Sequence, residues 1–342
     1  MSSRYQSVSD ELQTAPAEWL VTGVAGFIGS HLLERLLRLG QSVVGLDNFS
    51  TGYVKNLTAV RAAVAPEAWA RFRLIEGDIR DLSDCEQAVN GCDYVLHHAG
   101  LGSAPQSLAD PITANAVNVG GFLNMLTAAR DAGVKSFVYA ASSSAYGDNP
   151  ALPKTEDAVG APMSPYAVTK YANELYATVY ATTYGFKSIG LRYFNIFGPR
   201  QDPLGPYAAV IPLWALAMIR GDPVWINGDG STTRDFTFVD NVVQANILAA
   251  CADDDAKNEV FNVAFGQGLT LMTVFDALAE AVSGALDTPL AIPSFRDLRP
   301  GDVAHSQADI SKASRLLGYA PTHGFAAGVA LTVPDYLAMA KT

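Results

Sequence analysis

Three glycines, Gly23, Gly26 and Gly29, stand where a short apolar run ends and a helical pattern begins. No other feature narrows the fold as much. Residues 19–22 read as a strand, and FIGSHLLERLLRL, apolar at three- and four-residue spacing and closed by Gly40, reads as a helix over 27–39. Gly23 permits a tight turn, Gly26 lets backbone approach a pyrophosphate, and Gly29 lets helix and strand pack closely. The helix N-terminus then offers unpaired N–H groups and the positive end of its dipole. Asp47 ends the next strand, 18 residues after Gly29, where a carboxylate can accept both ribose hydroxyls of an adenosine. No Arg or Lys lies between Asn48 and Val54 to hold a 2′-phosphate, so the pattern favours NAD over NADP. Asp78 and Ile79 follow the third strand and could flank the adenine. His98 and Ala99 follow the fourth, where backbone could pass the cofactor, and His98 reads as a lining residue rather than an acid or base.

The alternation continues down the chain. Strands are predicted over 42–46, 72–76, 94–97, 136–140 and 188–192, and helices over 82–89, 111–132 and 166–184, the last two closed by Gly133 and Gly185. Strands alternating with helices build right-handed βαβ units. The expected fold class is α/β: a doubly wound parallel (Rossmann) sheet with a smaller C-terminal substrate-binding lobe. After about Asn195 Gly and Pro punctuate shorter elements (GPRQDPLGPY, RGDPVWINGDGS, DLRPGD). The expected domains are an arm over 1–18, a cofactor-binding domain over 19–194, and 195–342 as mainly the substrate lobe, with some elements returning to the main domain. The polar arm is expected to be either loosely ordered or a helix packed on the domain's edge.

Composition closes off other classes. The 342 residues are 49% apolar, too many for a disordered chain. Lys and Arg number 23 against 34 Asp and Glu, a net charge of −11, which argues against nucleic acid or an anionic membrane as partner. No apolar run approaches a bilayer span, so the cytoplasm is the expected location. Cys85, Cys92 and Cys251 form no paired framework and show no ligand spacing with the five His; buried thiols and no metal are expected.

Tyr166 and Lys170 lie four apart on a predicted helix and so share one face. Ser142, Ser143 and Ser144 follow the fifth strand, at the carboxyl edge where doubly wound sheets bind ligands. A free tyrosine ionises near pH 10, so service as a base near neutrality asks for about 4 kcal/mol from its surroundings. A lysine ammonium and the positive nicotinamide ring of an oxidised cofactor are suited to supply it. A serine hydroxyl would orient the substrate's hydroxyl.

These residues carry a resemblance. TGVAGFIG, LDNFSTG, GDIRD, HHAG, SSSAYG, YAVTK, RYFNIFGP, RDFTFVDNV and RPGDV, in that order between Trp19 and about Tyr319, resemble the extended short-chain dehydrogenase/reductase family. Within it the chain is similar to the nucleotide-sugar epimerases, and most to the bacterial UDP-N-acetylglucosamine 4-epimerases. The resemblance implies that Tyr166 takes the proton of the sugar 4-hydroxyl while NAD takes hydride from C4. The 4-keto sugar then rotates and receives hydride on its other face. Lys170 would bind the nicotinamide ribose and lower the Tyr166 pKa, Ser142 matches the catalytic Ser/Thr, and Ser144 would be a secondary contact. Phe27, Ile28, Asn48, Ser50, Gly52, Asn118 and Tyr193 would complete the cofactor site. The UDP-sugar would meet Ser103, Ser142, Ser143, Asn195, Ala209, Val210, Trp214, Trp225, Ile226, Asn227, Arg234, Arg299 and Asp302. Without the resemblance Arg234 and Arg299 would read as surface ion pairs. Ser306 aligns with a position that gates the pocket at the sugar's C2 substituent and carries Tyr in glucose-restricted members. The small side chain here implies that UDP-N-acetylglucosamine and UDP-N-acetylgalactosamine are preferred over UDP-glucose and UDP-galactose.

Sister dehydratases carry acidic residues just after the catalytic Ser/Thr, where this chain has Ser143 and Ser144. A UDP-glucuronate or UDP-N-acetylglucosaminuronate 4-epimerase remains the enzymatic alternative, since it needs only a cation near C6. A non-catalytic NAD-bound scaffold is the alternative of another class; transient nicotinamide reduction on adding UDP-sugar would exclude it. The predicted helices 111–132 and 166–184 are apolar on more than one face, and the resemblance implies that they pair with their copies in a homodimer.

Overall fold

The computed structural model describes residues 3–204, 208–297 and 305–340. Six strands arise in sequence before Asn195: β1 (Glu18–Thr22), β2 (Ser42–Asp47), β3 (Phe72–Glu76), β4 (Tyr94–His97), β5 (Ser136–Ser142) and β6 (Ile189–Tyr193). Then come β7 (Ile196–Phe197), β8 (Val224–Asn227), β9 (Thr233–Asp235), β10 (Thr237–Phe238), β11 (Val260–Val263), β12 (Gly268–Thr270) and β13 (Pro293–Arg296). The main sheet is parallel and seven-stranded in the order β11-β6-β5-β4-β1-β2-β3. Its first six strands match the expected doubly wound order, and β11 is one of the late elements that return to it.

Successive side chains of a strand point to opposite faces. Trp19 and Val21 therefore enter one core with Leu32, Leu36 and Leu191, while Leu20 enters the other with Val95, Phe122 and Phe137. Both faces are covered by helices, so the strands read as near-continuous apolar runs. A third core, built from Phe197, Trp214, Ile226, Phe238, Phe275 and Val329, belongs to the later lobe.

The polar arm takes the helical one of its two expected forms, Arg4–Thr14. Ser3 caps it by accepting from the Gln6 N–H, and Val8 and Leu12 are buried against the first core. Gln41 secures it, donating from Nε2 to the Leu12 and Leu39 carbonyls at 2.7 and 2.8 Å while Oε1 accepts from Ala17 and Trp19.

The long helix expected over 111–132 differs. It runs as Pro111–Asn115, a π-helical turn Ala116–Gly121, and Phe122–Ala132. A Cβ on Gly121 would stand 2.5 Å from Ile79, so the helix passes Ile79 at a distance only glycine allows. The Tyr166 helix, Pro165–Tyr184, is started by Ser164, whose side chain accepts from the Ala167 N–H, with Pro165 in the first turn, and it ends on left-handed Gly185. Cys85, Cys92 and Cys251 are free thiols, the first two buried as expected and Cys251 only partly so. Among the described residues no helix is long and apolar enough to cross a membrane, and no cluster could hold a metal ion.

Candidate active site

A cavity of about 500 Å³ opens at the carboxyl edge of the sheet. Gly23, Gly26, Phe27, Ile28 and Gly29 form one wall, and Asp47, Asn48, Ser50, Gly52, Asp78 and Ile79 another. His98, Ala99, Ser142, Ser143, Ser144, Tyr166, Lys170, Tyr193 and Asn195 complete it.

The glycines behave as their spacing requires. Gly23 has φ +68, and a Cβ on it would lie 2.8 Å from the Ala99 nitrogen. A Cβ on Gly29 would lie 2.1 Å from the Gly23 carbonyl oxygen. No side chain caps the first turn of the helix Phe27–Arg38, which leaves its N-terminus facing the cavity. Both carboxylate oxygens of Asp47 accept a backbone N–H, from Ala25 and from Phe49, each at 2.8 Å. Burial pushes the Asp47 carboxyl up, while those two N–H groups hold it down. A second lone pair on each oxygen remains for a ribose hydroxyl. Asp78 binds Arg80 and accepts from Asn48 at 2.8 Å, which holds its carboxyl well below the usual range. A cradle with no room for a Cβ at Gly23 or Gly29, a bare helix N-terminus and the Asp47 carboxylate together fit a dinucleotide pyrophosphate and its adenosine.

At the other end Tyr166 and Ser142 line the cavity together, and Ser142 Oγ is fixed by accepting the Ser144 N–H at 3.1 Å. Burial raises the Tyr166 phenol, and the Ser142 contact lowers it. Lys170 is buried and donates to the Ala140 carbonyl at 2.8 Å. Burial, which disfavours the charged form, lowers its pKa to about 8. His98 stacks on Tyr193 and hydrogen-bonds Asn246 at 3.0 Å; burial lowers its pKa to about 4, so it is a neutral lining group.

A second cavity of about 370 Å³ is lined by Val210, Trp214, Trp225, Asn227, Arg234 and Arg296 among others. Asn195 lines both cavities, holds a left-handed φ of +34, and donates to the Asp235 carbonyl at 3.0 Å. The two spaces meet at this strained residue.

Five of the assigned residues stand outside the two cavity linings. Asn118 does not line the cofactor cavity: it donates to Leu101 O at 3.0 Å, accepts from Leu101 N at 2.8 Å, and also donates to Thr169, thereby shaping the loop after β4. Ser103 caps the helix Ala104–Ala109 instead of reaching either cavity. Ile226 is fully buried in the lobe core, because strand alternation turns it away from Trp225 and Asn227. Ala209 precedes the helix Val210–Arg220 as its N-cap, and its neighbour Ala208 lines the cavity. Ser306 lines neither cavity; its N–H donates to the Thr233 carbonyl at 3.1 Å, one residue from Arg234. Arg299 and Asp302 lie outside the described residues. Sequence reasoning missed Gln201 and Ile196 in the first cavity and Arg296 and Phe236 in the second. Ile196 and Gln201 flank FGPR in the stretch after RYFN, and only that proximity could have signalled them.

Fold and cavity define a dinucleotide-binding α/β protein with a Ser–Tyr–Lys cluster at the far end. Residues 19–264 match the model of the NAD dependent epimerase/dehydratase family. A UDP-glucose 4-epimerase of Mycolicibacterium smegmatis is 38% identical over 321 residues, 92% of this chain and 96% of that protein. Among solved structures, a UDP-glucose 4-epimerase of Thermotoga maritima with UDP-glucose is 36% identical with a TM-score of 0.84, covering 94% of this chain and 99% of the other. A UDP-N-acetylglucosamine 4-epimerase of Methanobrevibacter ruminantium in complex with UDP-N-acetylmuramic acid is 36% identical with a TM-score of 0.85, covering 95% and 99%. The chain belongs to the NAD dependent epimerase/dehydratase family.

Proposed function

We propose that this protein is a UDP-sugar 4-epimerase that interconverts UDP-N-acetylglucosamine and UDP-N-acetylgalactosamine, and turns over UDP-glucose and UDP-galactose more slowly. The observation that carries the reading is the joining of two cavities at Asn195, one with the glycine cradle and the Ser142–Tyr166–Lys170 cluster, the other with Arg234 and two tryptophans. When bound, NAD supplies a reversible hydride acceptor for the sugar's C4. Tyr166 accepts and returns the proton of the 4-hydroxyl. Ser142, held by the Ser144 N–H, orients that hydroxyl. The Lys170 ammonium stabilises the phenolate. Arg234 suits a diphosphate by its planar guanidinium, and Trp225 and Trp214 offer apolar walls to a base.

Among the described residues, elimination chemistry has no carboxylic acid at the Tyr166 end of the cavity. Among the described residues Asp47 and Asp78 are the only carboxylates lining the first cavity, and both are bonded elsewhere. Among the described residues Lys170 is the only Lys or Arg lining it, and its charge is assigned to the phenolate, an arrangement that favours a neutral sugar. The test is incubation with UDP-N-acetylglucosamine, UDP-glucose, UDP-galactose and UDP-glucuronate, with products separated by epimer. Fastest turnover of UDP-glucuronate, or none of any, overturns the proposal. Ser306, beside the Arg234 strand, bears on the N-acetyl preference. Ser306 itself lines neither cavity, but its N–H is held by the Thr233 carbonyl next to Arg234. Ser306→Tyr adds a ring beside that space and is expected to cost the acetylated sugars about tenfold relative to the plain ones, roughly 1–3 kcal/mol of room taken from the acetyl group. An unchanged ratio removes Ser306 as the gate.

The pH dependence follows from Lys170. Its ammonium is required and burial has brought its pKa to about 8. The charged form is full below that value and lost above it, so kcat/KM is expected to fall through about pH 8. A profile flat from pH 7 to 10 contradicts the assignment.

We also propose a homodimer. Val168, Leu175, Tyr176 and Val179 are exposed on the helix Pro165–Tyr184, with Leu108 and Ile112 exposed on the neighbouring helices. A run of this kind on a long helix is unusual without a partner. Sedimentation is expected to give a dimer at micromolar concentration, and Leu175→Asp with Val179→Asp to give a folded monomer; a monomeric parent refutes the dimer.

A further inference from the structure

Two segments far apart in sequence line the first cavity. Asn48, Ser50, Thr51 and Gly52 come from the loop after β2, and Gln201 from the loop after β7. The residues that follow them, Tyr53 and Asp202, are joined: the Tyr53 hydroxyl donates to Asp202 Oδ2 at 2.6 Å.

The two ends of this bond are anchored differently. Pro199 and Arg200 are pinned to the helix Phe27–Arg38, through His31 Nε2 to the Pro199 carbonyl at 2.9 Å and Arg200 to Glu34 at 2.9 Å. The Arg200 N–H also donates to Asp335 at 2.8 Å, and Asp202 Oδ1 accepts from Leu204 at 3.1 Å. The loop bearing Asp202 is therefore a fixed post. Residues 48–52 form no helix or strand, and Phe49 holds a left-handed φ of 55. Tyr53 ties that loop down, with its N–H on the Ala25 carbonyl at 3.0 Å and its ring under the Lys55 ammonium at 4.7 Å. Tyr53 is 39% exposed, so the bond lies at the rim of the cavity, not in its floor. A phenol-to-carboxylate hydrogen bond is charge-assisted, and solvent at the rim discounts it to a modest contribution.

We propose that Tyr53 and Asp202 are positioning residues that clasp the two loops across the cofactor cavity and retain NAD between turnovers. The inference rests on the family's use of NAD and on the epimerase reading, in which the cofactor is regenerated in each cycle and has no need to leave. Neither residue touches the reacting atoms; they act through the loop at 48–52.

The test uses the holoenzyme. Protein with bound NAD is mixed with an excess of deuterated NAD, and exchange is followed by mass spectrometry for the parent, Tyr53→Phe, Asp202→Ala and the pair. Each single variant is expected to exchange NAD about five- to tenfold faster, and the double variant no faster than the singles, because either change removes the same bond. Turnover at saturating NAD and the melting temperature of the cofactor-free protein should match the parent, which separates the clasp from general loosening. Exchange within twofold of the parent in both single variants overturns the proposal, as does a double variant equal to the product of the singles. A parent that holds NAD but turns over no UDP-sugar sinks the substrate reading alone; a parent that holds no NAD sinks the clasp with the cofactor.

Discussion

Tyr166→Phe should lower turnover by about 10³-fold and leave NAD bound. General acid–base groups commonly account for factors of this size. The substitution removes one oxygen and keeps the ring. The helix start does not depend on that oxygen, since the Tyr166 N–H is held by Ser107 Oγ at 2.9 Å and the first turn is capped by Ser164. Lys170 keeps its bond to Ala140 in the variant. The loss should therefore appear in kcat, with the NAD content of the purified protein unchanged. Activity within tenfold of the parent would mean that another group takes the proton, and Ser142 would be the next candidate.

Gly29→Ala should yield protein that purifies without NAD. The added Cβ would meet the Gly23 carbonyl oxygen at 2.1 Å, the Gly23 carbonyl carbon at 2.8 Å and Val24 Cα at 2.9 Å. All three are backbone atoms, so no side chain can rotate away. Either the helix Phe27–Arg38 moves off β1 or the turn at Gly23 reshapes, and both dismantle the pyrophosphate cradle. Overpacking of this kind costs about 1–3 kcal/mol, which, taken from the cofactor, is about 100-fold in affinity at its upper end. Gly284→Ala, inside the helix Leu271–Leu286 with open space around it, is the control and should retain NAD. Equal NAD content in both variants would show that the cradle tolerates the methyl group.

Much of this was readable in one dimension because local geometry demanded it. The glycine spacing, the strand ending at Asp47 and the four-residue offset of Tyr166 and Lys170 are constraints that short stretches of chain impose on themselves. Asn118 sits behind the cavity lining because its partner, the Leu101 backbone, is a tertiary neighbour that no spacing announces. The close approach of Gly121 to Ile79, beside the π-helical turn Ala116–Gly121, is likewise a tertiary contact that no spacing announces. Ile226 is a different kind of miss. Assigning Trp225, Ile226 and Asn227 to one cavity overlooked the two-residue period of a strand, which could have been applied without coordinates. The second cavity draws on β8, β9, β13 and the helix Val210–Arg220, elements whose assembly depends on long-range packing.

The return of β11 to the main sheet has a consequence for how such chains can diversify. Val260–Val263 pairs with β6, and the buried face of the helix Val239–Ala250 joins the same core as Trp19 and Leu36. The cofactor half is thus completed by residues encoded well after the lobe with the second cavity has begun. A crossover near Asn195 between two relatives would splice mismatched halves of one core, leaving β6 beside a foreign edge partner. Cassette exchange of the whole C-terminal stretch is therefore disfavoured. Changes of sugar preference have an easier route through the excursions between β7 and β10 and between β12 and β13, which can drift in length and composition while the seven parallel strands keep their register.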